Sequence, residues 1–403
     1  MRSSSANGRL DGMKMRNVLL LITPSSPGRF AGVARFAKGH GWHLTVADRL
    51  THALNGWTGD GALVTLRDDA TTLSQIRSLR RRGIPVVDLT IEHPEIRLPR
   101  VCGDNAAIGR LAADHFRARN FRSVAWFSTS WGHQHRLRCD AFSEKSLWPG
   151  DAPFRWAWSL DPASTKSDDW RELSRWLGRK LADAPRPIGV FCFDDADASR
   201  VESVALSAGL RIPDDVAVLG AGDDRPLCES QTIPISSVSH DLETIGYEGA
   251  MLLERLMASG RAGTPEAPMF VPPRGISERA STDALAVYSP LVAKAIAICR
   301  KNLANTPSTE QLADELGVSR PTLDRAFSAD TGMSPARLIM RLRLDEAKRM
   351  LKSGSQSVSE IAYGLGFCNP AYFTNTFRKL TGSTPKDWKR AVAQMQPTSA
   401  AAS

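Results

Sequence analysis

Two sets of polar side chains, spaced as on the outer faces of short helices, are the plainest chemistry in this 403-residue chain. The later set is Pro370, Ala371, Thr374, Asn375 and Arg378, with Lys379 and Lys386 beyond it. The earlier set is Arg320, Thr322, Arg325 and Ser328. Amide, hydroxyl and guanidinium groups on a helix face can read base edges in the DNA major groove, and lysines near helix ends suit phosphate. A plain helical bundle also exposes polar faces. It does not need the same cassette twice, and here Phe327, Thr331, Gly332 and Pro335 return fifty positions later as Phe377, Thr381, Gly382 and Pro385.

The flanking residues predict the elements that hold these faces. Ser357 and Glu360 form a capping box opening a helix that buries Val358, Ile361, Ala362 and Leu365. Gly364 and Gly366 allow a turn with Phe367 in its corner. Asn369 followed by Pro370 starts a second helix, with Phe373, Phe377 and Leu380 inward. Upstream, Ser308 with Gln311 and then Ser319 cap a matching pair that buries Leu312, Ala313, Leu316, Leu323 and Phe327. Pro335 to Leu351 reads as one longer helix joining them. Paired helix-turn-helix units on one rigid helix suit successive major grooves, about 34 Å apart.

Residues from about 290 to 389 resemble the DNA-binding domain of AraC-type transcription regulators. The resemblance rests on Gly366-Phe367, Tyr372-Phe373, Phe377-Arg378-Lys379 and Gly382-x-Thr384-Pro385. One departure is Pro321, where such proteins often carry a bulky side chain; base contacts by the first helix then rest on Arg320, Thr322 and Arg325.

Charge follows the same division. The net charge is +9, and residues 285–403 hold 16 Lys and Arg against 9 Asp and Glu, leaving +2 for the rest. A basic end on a near-neutral body fits a nucleic-acid module attached to a sensor or an enzyme. Six scattered cysteines with no Cys-x-x-Cys pair argue for a reducing compartment and against structural zinc. No apolar run is long enough to span a membrane, and the polar start lacks a signal-peptide core. These features predict a cytoplasmic protein.

From Val18 onward strands and helices alternate, with apolar strands at Val18 to Ile22, Ala62 to Leu66, Pro85 to Leu89, Val124 to Phe127, Ile188 to Phe193 and Val216 to Leu219. Helices are expected over Phe30 to Lys38, Ala106 to Arg117, Trp170 to Ala182 and Ala196 to Ala208. The pattern predicts parallel sheets covered on both faces, and about 260 residues of it suggest two lobes. A doubly wound enzyme shares that pattern. A receiver domain is a third reading, for which the front region is too long. No Gly-x-Ser-x-Gly elbow or phosphate loop is present. His133-Gln134-His135 lacks a third ligand and reads as a polar loop.

Gly209 to Gly220 resembles the helix-to-strand corner of the sugar-responsive LacI-type regulators, and Ile235 to Val238 with Ile245 to Ala250 their returning strand and next helix. The resemblance implies a two-lobed periplasmic-binding-protein fold with a ligand cleft. Joined to the tail, through Val271-Pro272-Pro273-Arg274 and Glu278-Arg279-x-Ser281-Thr282-Asp283, the whole resembles the xylose-operon regulators. It implies that Arg138 lies in the cleft. Asp194 and Asp195 follow one strand and Asp223 another, at carboxyl ends where open sheets bind ligands. The family usually has a carboxylate where this chain has Gly222. Ser25 and Ser26 follow the first strand, and Trp131 offers a ring for a sugar face.

The reading is therefore a disordered leader over 1–16, an α/β two-lobed ligand sensor over 17–283 and a linker over 284–289. An all-α AraC-type DNA-binding domain with two helix-turn-helix motifs occupies 290–393, and a loose tail 394–403. Expected partners are double-stranded operator DNA, a small sugar such as xylose, RNA polymerase and a second copy of the chain. No cofactor, metal, membrane or catalytic residue is expected. A sensor of a non-sugar metabolite and an enzyme tethered to DNA are the alternatives.

Overall fold

The computed structural model describes residues 15–22, 27–47, 56–66, 70–146, 152–165, 169–259, 267–353 and 356–394. Ser25, Ser26, the leader before residue 15 and the tail after 394 lie outside them. The chain divides into two compact units, Met1–Ala284 and Leu285–Ser403.

The first unit begins β1 (Arg16–Leu21), α1 (Pro27–His40), β2 (Trp42–Val46), β3 (Gly61–Val64), α2 (Ala70–Arg81), β4 (Val86–Asp88) and β5 (Val101–Gly103). It continues α3 (Asn105–Ala118), β6 (Ser123–Ser128), α4 (His133–Ser146), β7 (Phe154–Ala157), α5 (Trp170–Asp183), β8 (Ile188–Cys192) and α6 (Asp195–Ser207). It ends β9 (Val216–Ala221), α7 (Arg225–Ser230), β10 (Ser236–Ser239), α8 (Leu242–Ser259), β11 (Met269–Val271) and β12 (Gly275–Ser277).

Two sheets make two lobes. The first has the order β2-β1-β3-β4 and is parallel throughout. Its strands are apolar on both faces for a visible reason. Val18 and Leu20 pack one way with Phe36 of α1 and Leu253 of α8, while Leu19 and Leu21 pack the other way with Ile76 and Leu79 of α2. Each such buried side chain contributes roughly 1.5–3 kcal/mol. The second sheet has the order β12-β10-β9-β8-β6-β7, with only β12 antiparallel. Phe127, Val190 and Val218 meet α5 and α6 on one face. On the other, Trp126 and Phe191 stack edge-on at 5.3 Å and Phe142 of α4 joins them.

The chain crosses between lobes three times. It does so from β5 into α3, from β10 into α8, and from β11, which pairs with β5, to β12, which pairs with β10. The carboxyl ends of β1, β4, β5, β8, β9 and β10 consequently turn toward one crevice.

The second unit is helical: α9 (Pro290–Lys301), α10 (Thr309–Glu315), α11 (Arg320–Thr331), α12 (Pro335–Ser353), α13 (Val358–Gly364), α14 (Pro370–Thr381) and α15 (Pro385–Gln394). It has two cores. Leu323, Phe327 and Leu338 belong to the first, and Leu344, Leu351, Phe373 and Phe377 to the second, so α12 serves both.

Several expectations need correcting. Leu380, expected inward, is 55% exposed. It lies past the end of the core, where Trp388 of α15 closes over Phe377 instead, at 6.3 Å. Leu316 is only half-buried, because it ends α10 at the rim of its core. Gly364 closes α13 as an ordinary helical residue, and Gly366, at φ 75, makes the turn alone. His133 to His135 is the first turn of α4, not a loop.

Candidate ligand crevice and nucleic-acid interface

Arg138 reaches the crevice from the second turn of α4 and is 4% exposed. Its Nε and Nη2 donate to Asn105 Oδ1 at 3.2 and 2.7 Å, and its Nη1 donates to the Phe193 carbonyl. The guanidinium carbon lies 4.5 Å from the centre of the Phe193 ring, against which His135 also stacks at 3.7 Å. Three of its five N–H groups are thus engaged. Burial lowers its pKa to about 9, partly opposed by Asp194, so it stays cationic at neutral pH.

The neighbouring carboxylates hold the frame. Asp194 caps α6, accepting from the Asp197 N–H at 2.7 Å. Asp195 is 3% exposed and accepts from Ser237 Oγ at 2.5 Å and the Asp224 N–H at 2.7 Å; burial pushes it up to about 6. Asp223 pairs with Arg279 at 2.8 Å and accepts from Ser277 Oγ at 2.6 Å. Gly222 beside it contributes no side chain. Trp131 is half-buried, with Arg155 5.4 Å from its ring. The junction segment is sewn into the second lobe, since Ser281 donates to the Val218 carbonyl and Thr282 to Ser236 Oγ.

Four residues that sequence reasoning missed complete the crevice. Asn105 anchors Arg138 from the start of α3. Arg29, in the first turn of α1, has its pKa lowered to about 10 by burial, opposed by Asp88. His240 follows β10; its Nε2 is enclosed without a partner, and burial holds it neutral, well below the usual histidine range. Glu92 joins the lobes, accepting from the His133 and Gln134 N–H groups at 2.8 and 3.3 Å and from Gln134 Nε2 at 3.1 Å. None sits in a periodic or motif context, so only strand ends could have pointed to them. Among the described residues no His, Cys, Asp and Glu group could hold a metal ion. No helix there is long and apolar enough to cross a membrane.

The helical unit repeats its own construction atom by atom. Ser308 with Gln311, and Ser357 with Glu360, form reciprocal capping boxes on α10 and α13. Ser319 accepts from the Thr322 N–H to start α11, and Asn369 from the Tyr372 N–H to start α14. Both helices end the same way. Thr331 and Thr381 hydroxyls donate to the Phe327 and Phe377 carbonyls at 2.8 and 2.7 Å, and Gly332 and Gly382 turn left-handed at φ 66 and 81.

These caps orient the polar faces. Arg325 and Ser328 on α11, and Ala371, Asn375, Arg378 and Lys379 on α14, are exposed, as is Lys386. Pro370 is half-buried at the start of α14, and Thr374 donates to its carbonyl. Arg320 is exposed but pairs with Glu310 and, at 3.7 Å, with Asp324; Thr322 shares its hydroxyl with the Ser319 cap at 2.8 Å. The first face is therefore more engaged with its own helix ends than the second.

A helix-turn-helix family model matches residues 312–391, and a periplasmic binding protein-like model matches residues 113–282. The chain is an AraC-type, DNA-binding transcription regulator with a periplasmic-binding-protein-like sensor. It is similar to the xylose operon regulatory protein of Escherichia coli K12, 23% identical over 83% of this chain and 85% of that protein. Its tail is similar to the transcriptional activator RhaS of Escherichia fergusonii, 35% identical over 23% of this chain and 33% of that one. Among solved structures, that of the xylose-binding transcription activator xylR covers 94% of this chain and 98% of its own, with a TM-score of 0.61 at 22% identity. These relatives are regulators, which decides against an enzyme tethered to DNA.

Proposed function

We propose that this regulator is a sugar-responsive activator, working in the cytoplasm as a homodimer that also touches RNA polymerase. The observation that carries the sugar is Arg138, a buried cation at the strand ends with two N–H groups beyond its internal bonds. Planar donors and a nearby ring are what sugar hydroxyls and sugar faces need. Arg138 and Asp194 take the ligand, Trp131 borders it, and Asp195 and Asp223 hold the strand ends around it. The names of the relatives, xylose regulators among them, support the same class.

On the DNA side, Arg320, Thr322, Arg325, Ser328, Ala371, Thr374, Asn375 and Arg378 face the bases, while Lys379 and Lys386 hold phosphate and Pro370 sets the entry of α14. Ligand closes the lobes, and closure brings paired tails onto adjacent sites. A thermal-shift screen of pentoses and hexoses on the full chain tests the sensor. A true effector at a hundred times its Kd stabilises by about 2.7 kcal/mol. A panel without any shift would count against a sugar.

A further inference from the structure

More than α12 holds the two helix-turn-helix modules in place. Arg343 stands on α12 where the cores change over, after Leu342, which packs on the first, and before Leu344, which belongs to the second. It is half-buried, and its guanidinium reaches in two directions. Nε donates to the Leu303 carbonyl at 2.9 Å and Nη2 to Thr306 Oγ1 at 2.8 Å, both in the segment between α9 and α10. Nη1 donates to the Gly366 carbonyl at 3.5 Å, in the turn between α13 and α14. One side chain thus ties the approach to the first helix-turn-helix to the turn of the second.

The two tied stretches also touch each other directly. A Cβ on Gly366 would strike the Ala304 carbonyl oxygen, so a bare glycine lets turn and segment close up. Leu303 packs against the second core, while Ser308, two residues past Thr306, caps α10 of the first module. Apolar burial is non-directional, and two cores threaded on one helix can roll against each other. A planar fork with donors fixed toward three neutral oxygens is directional and resists that roll.

Resting on α11 and α14 as the reading helices, we propose that Arg343 is a positioning residue that fixes the separation of the two modules. It thereby sets how many base pairs may lie between the half-motifs that one tail accepts. Moving a half-motif by one base pair shifts it about 3.4 Å along the duplex and about a tenth of a turn around it. Modules locked by the bracket cannot follow such a shift, and modules released from it can.

A random duplex pool enriched on the full chain supplies the probe. The half-motif of α11 is the one whose preference relaxes in Arg325→Ala. Binding is then measured on the enriched duplex and on copies with one base pair added or removed between the half-motifs. The parent should lose about tenfold or more on respacing. Arg343→Met should bind the original duplex more weakly, yet lose only about threefold or less on respacing. Arg343→Lys keeps the charge without the fork and should behave like Arg343→Met. An arginine that only stabilises the fold would weaken every duplex alike and leave the respacing ratio at the parent's value, which would overturn the proposal. Arg343→Lys restoring the parent's ratio would overturn it too, because charge alone would then suffice. Should Arg343→Met melt far below the parent, Thr306→Val, which removes only the Nη2 bond, takes its place and must lower the ratio in the same direction. A parent indifferent to spacing would remove the positioning role and leave DNA binding standing, whereas a pool that enriches no sequence would remove the reading helices themselves.

Discussion

Arg325 and Lys386 are both exposed cations in the helical unit, yet their placement gives them different work. Arg325 stands in the middle of α11 with its Nε donating to the Pro321 carbonyl at 3.3 Å, which steers the guanidinium along the outer face. Lys386 opens α15 after a turn. Arg325→Ala should cost about 1–3 kcal/mol on the preferred sequence and little on random DNA, whereas Lys386→Ala should weaken both alike. Binding measured on the two DNAs separates these roles, and equal losses for Arg325→Ala would remove it from base reading. His135 offers a different test. Burial lowers its pKa to about 4, partly opposed by Glu92, against about 6.5 unfolded. The unfolded chain therefore binds a proton first, and stability is lost as pH falls from about 7 toward 4. His135→Phe keeps the stack on Phe193 and should flatten that part of the melting-temperature profile, by on the order of 3 kcal/mol at its acid end. An unchanged slope would show that this ring titrates normally.

Among elements, the two helix-turn-helix modules are separable because each has its own core and only α12 enters both. Phe377 is fully buried against Phe373 at 5.6 Å and Trp388. Phe377→Ala should cost about 3–5 kcal/mol, loosening α13 to α15 while Phe327 and Leu338 keep the first module folded. Amide exchange would read this, and loss of protection in α10 and α11 as well would make the unit one cooperative body. These modules were legible in the sequence because caps, glycine turns and apolar spacing all agreed, down to Ser357 with Glu360 and the Thr381-Gly382 end. The long parallel strands were legible as apolar runs buried on both faces. What was not legible has a common cause. Strands β5, β11 and β12 are three residues each, too short to carry a period, and β2 is largely solvent-facing at a sheet edge. Helix α4 lacks an apolar stripe because the side it buries includes the polar His135 and Arg138 at its crevice end and Ser146 at its far end. The same feature that makes it a candidate site hid it as a helix.

On the scale of the molecule, two couplings deserve separate measurement. Within the sensor, Glu92 from the first lobe caps the start of α4 in the second, so close that a Cβ on Gly132 would strike its carboxylate. Negative charge at a helix start is favoured by the dipole and the free N–H groups. Glu92→Ala should favour the open sensor, raising its radius of gyration in scattering and weakening effector binding; an unchanged radius would leave Glu92 a local cap.

Between sensor and tail the chain divides at Ala284 and Leu285, and the tail contains both cores and a surplus of seven positive charges. Residues 285–403 alone should therefore bind operator DNA without effector. If Arg320, Arg325, Arg378, Lys379 and Lys386 together neutralise about four or five phosphates, the logarithm of affinity should fall against the logarithm of salt with a slope near −4. Arg320 contributes at a cost, since releasing it means breaking its pairs with Glu310 and Asp324. Exposed pairs of that kind contribute under about 1 kcal/mol, so DNA can compete for it. A slope near zero, or no binding at low salt, would mean that the tail cannot read DNA without the sensor that precedes it. A steep slope together with effector-independent binding would locate ligand control wholly in the first 284 residues.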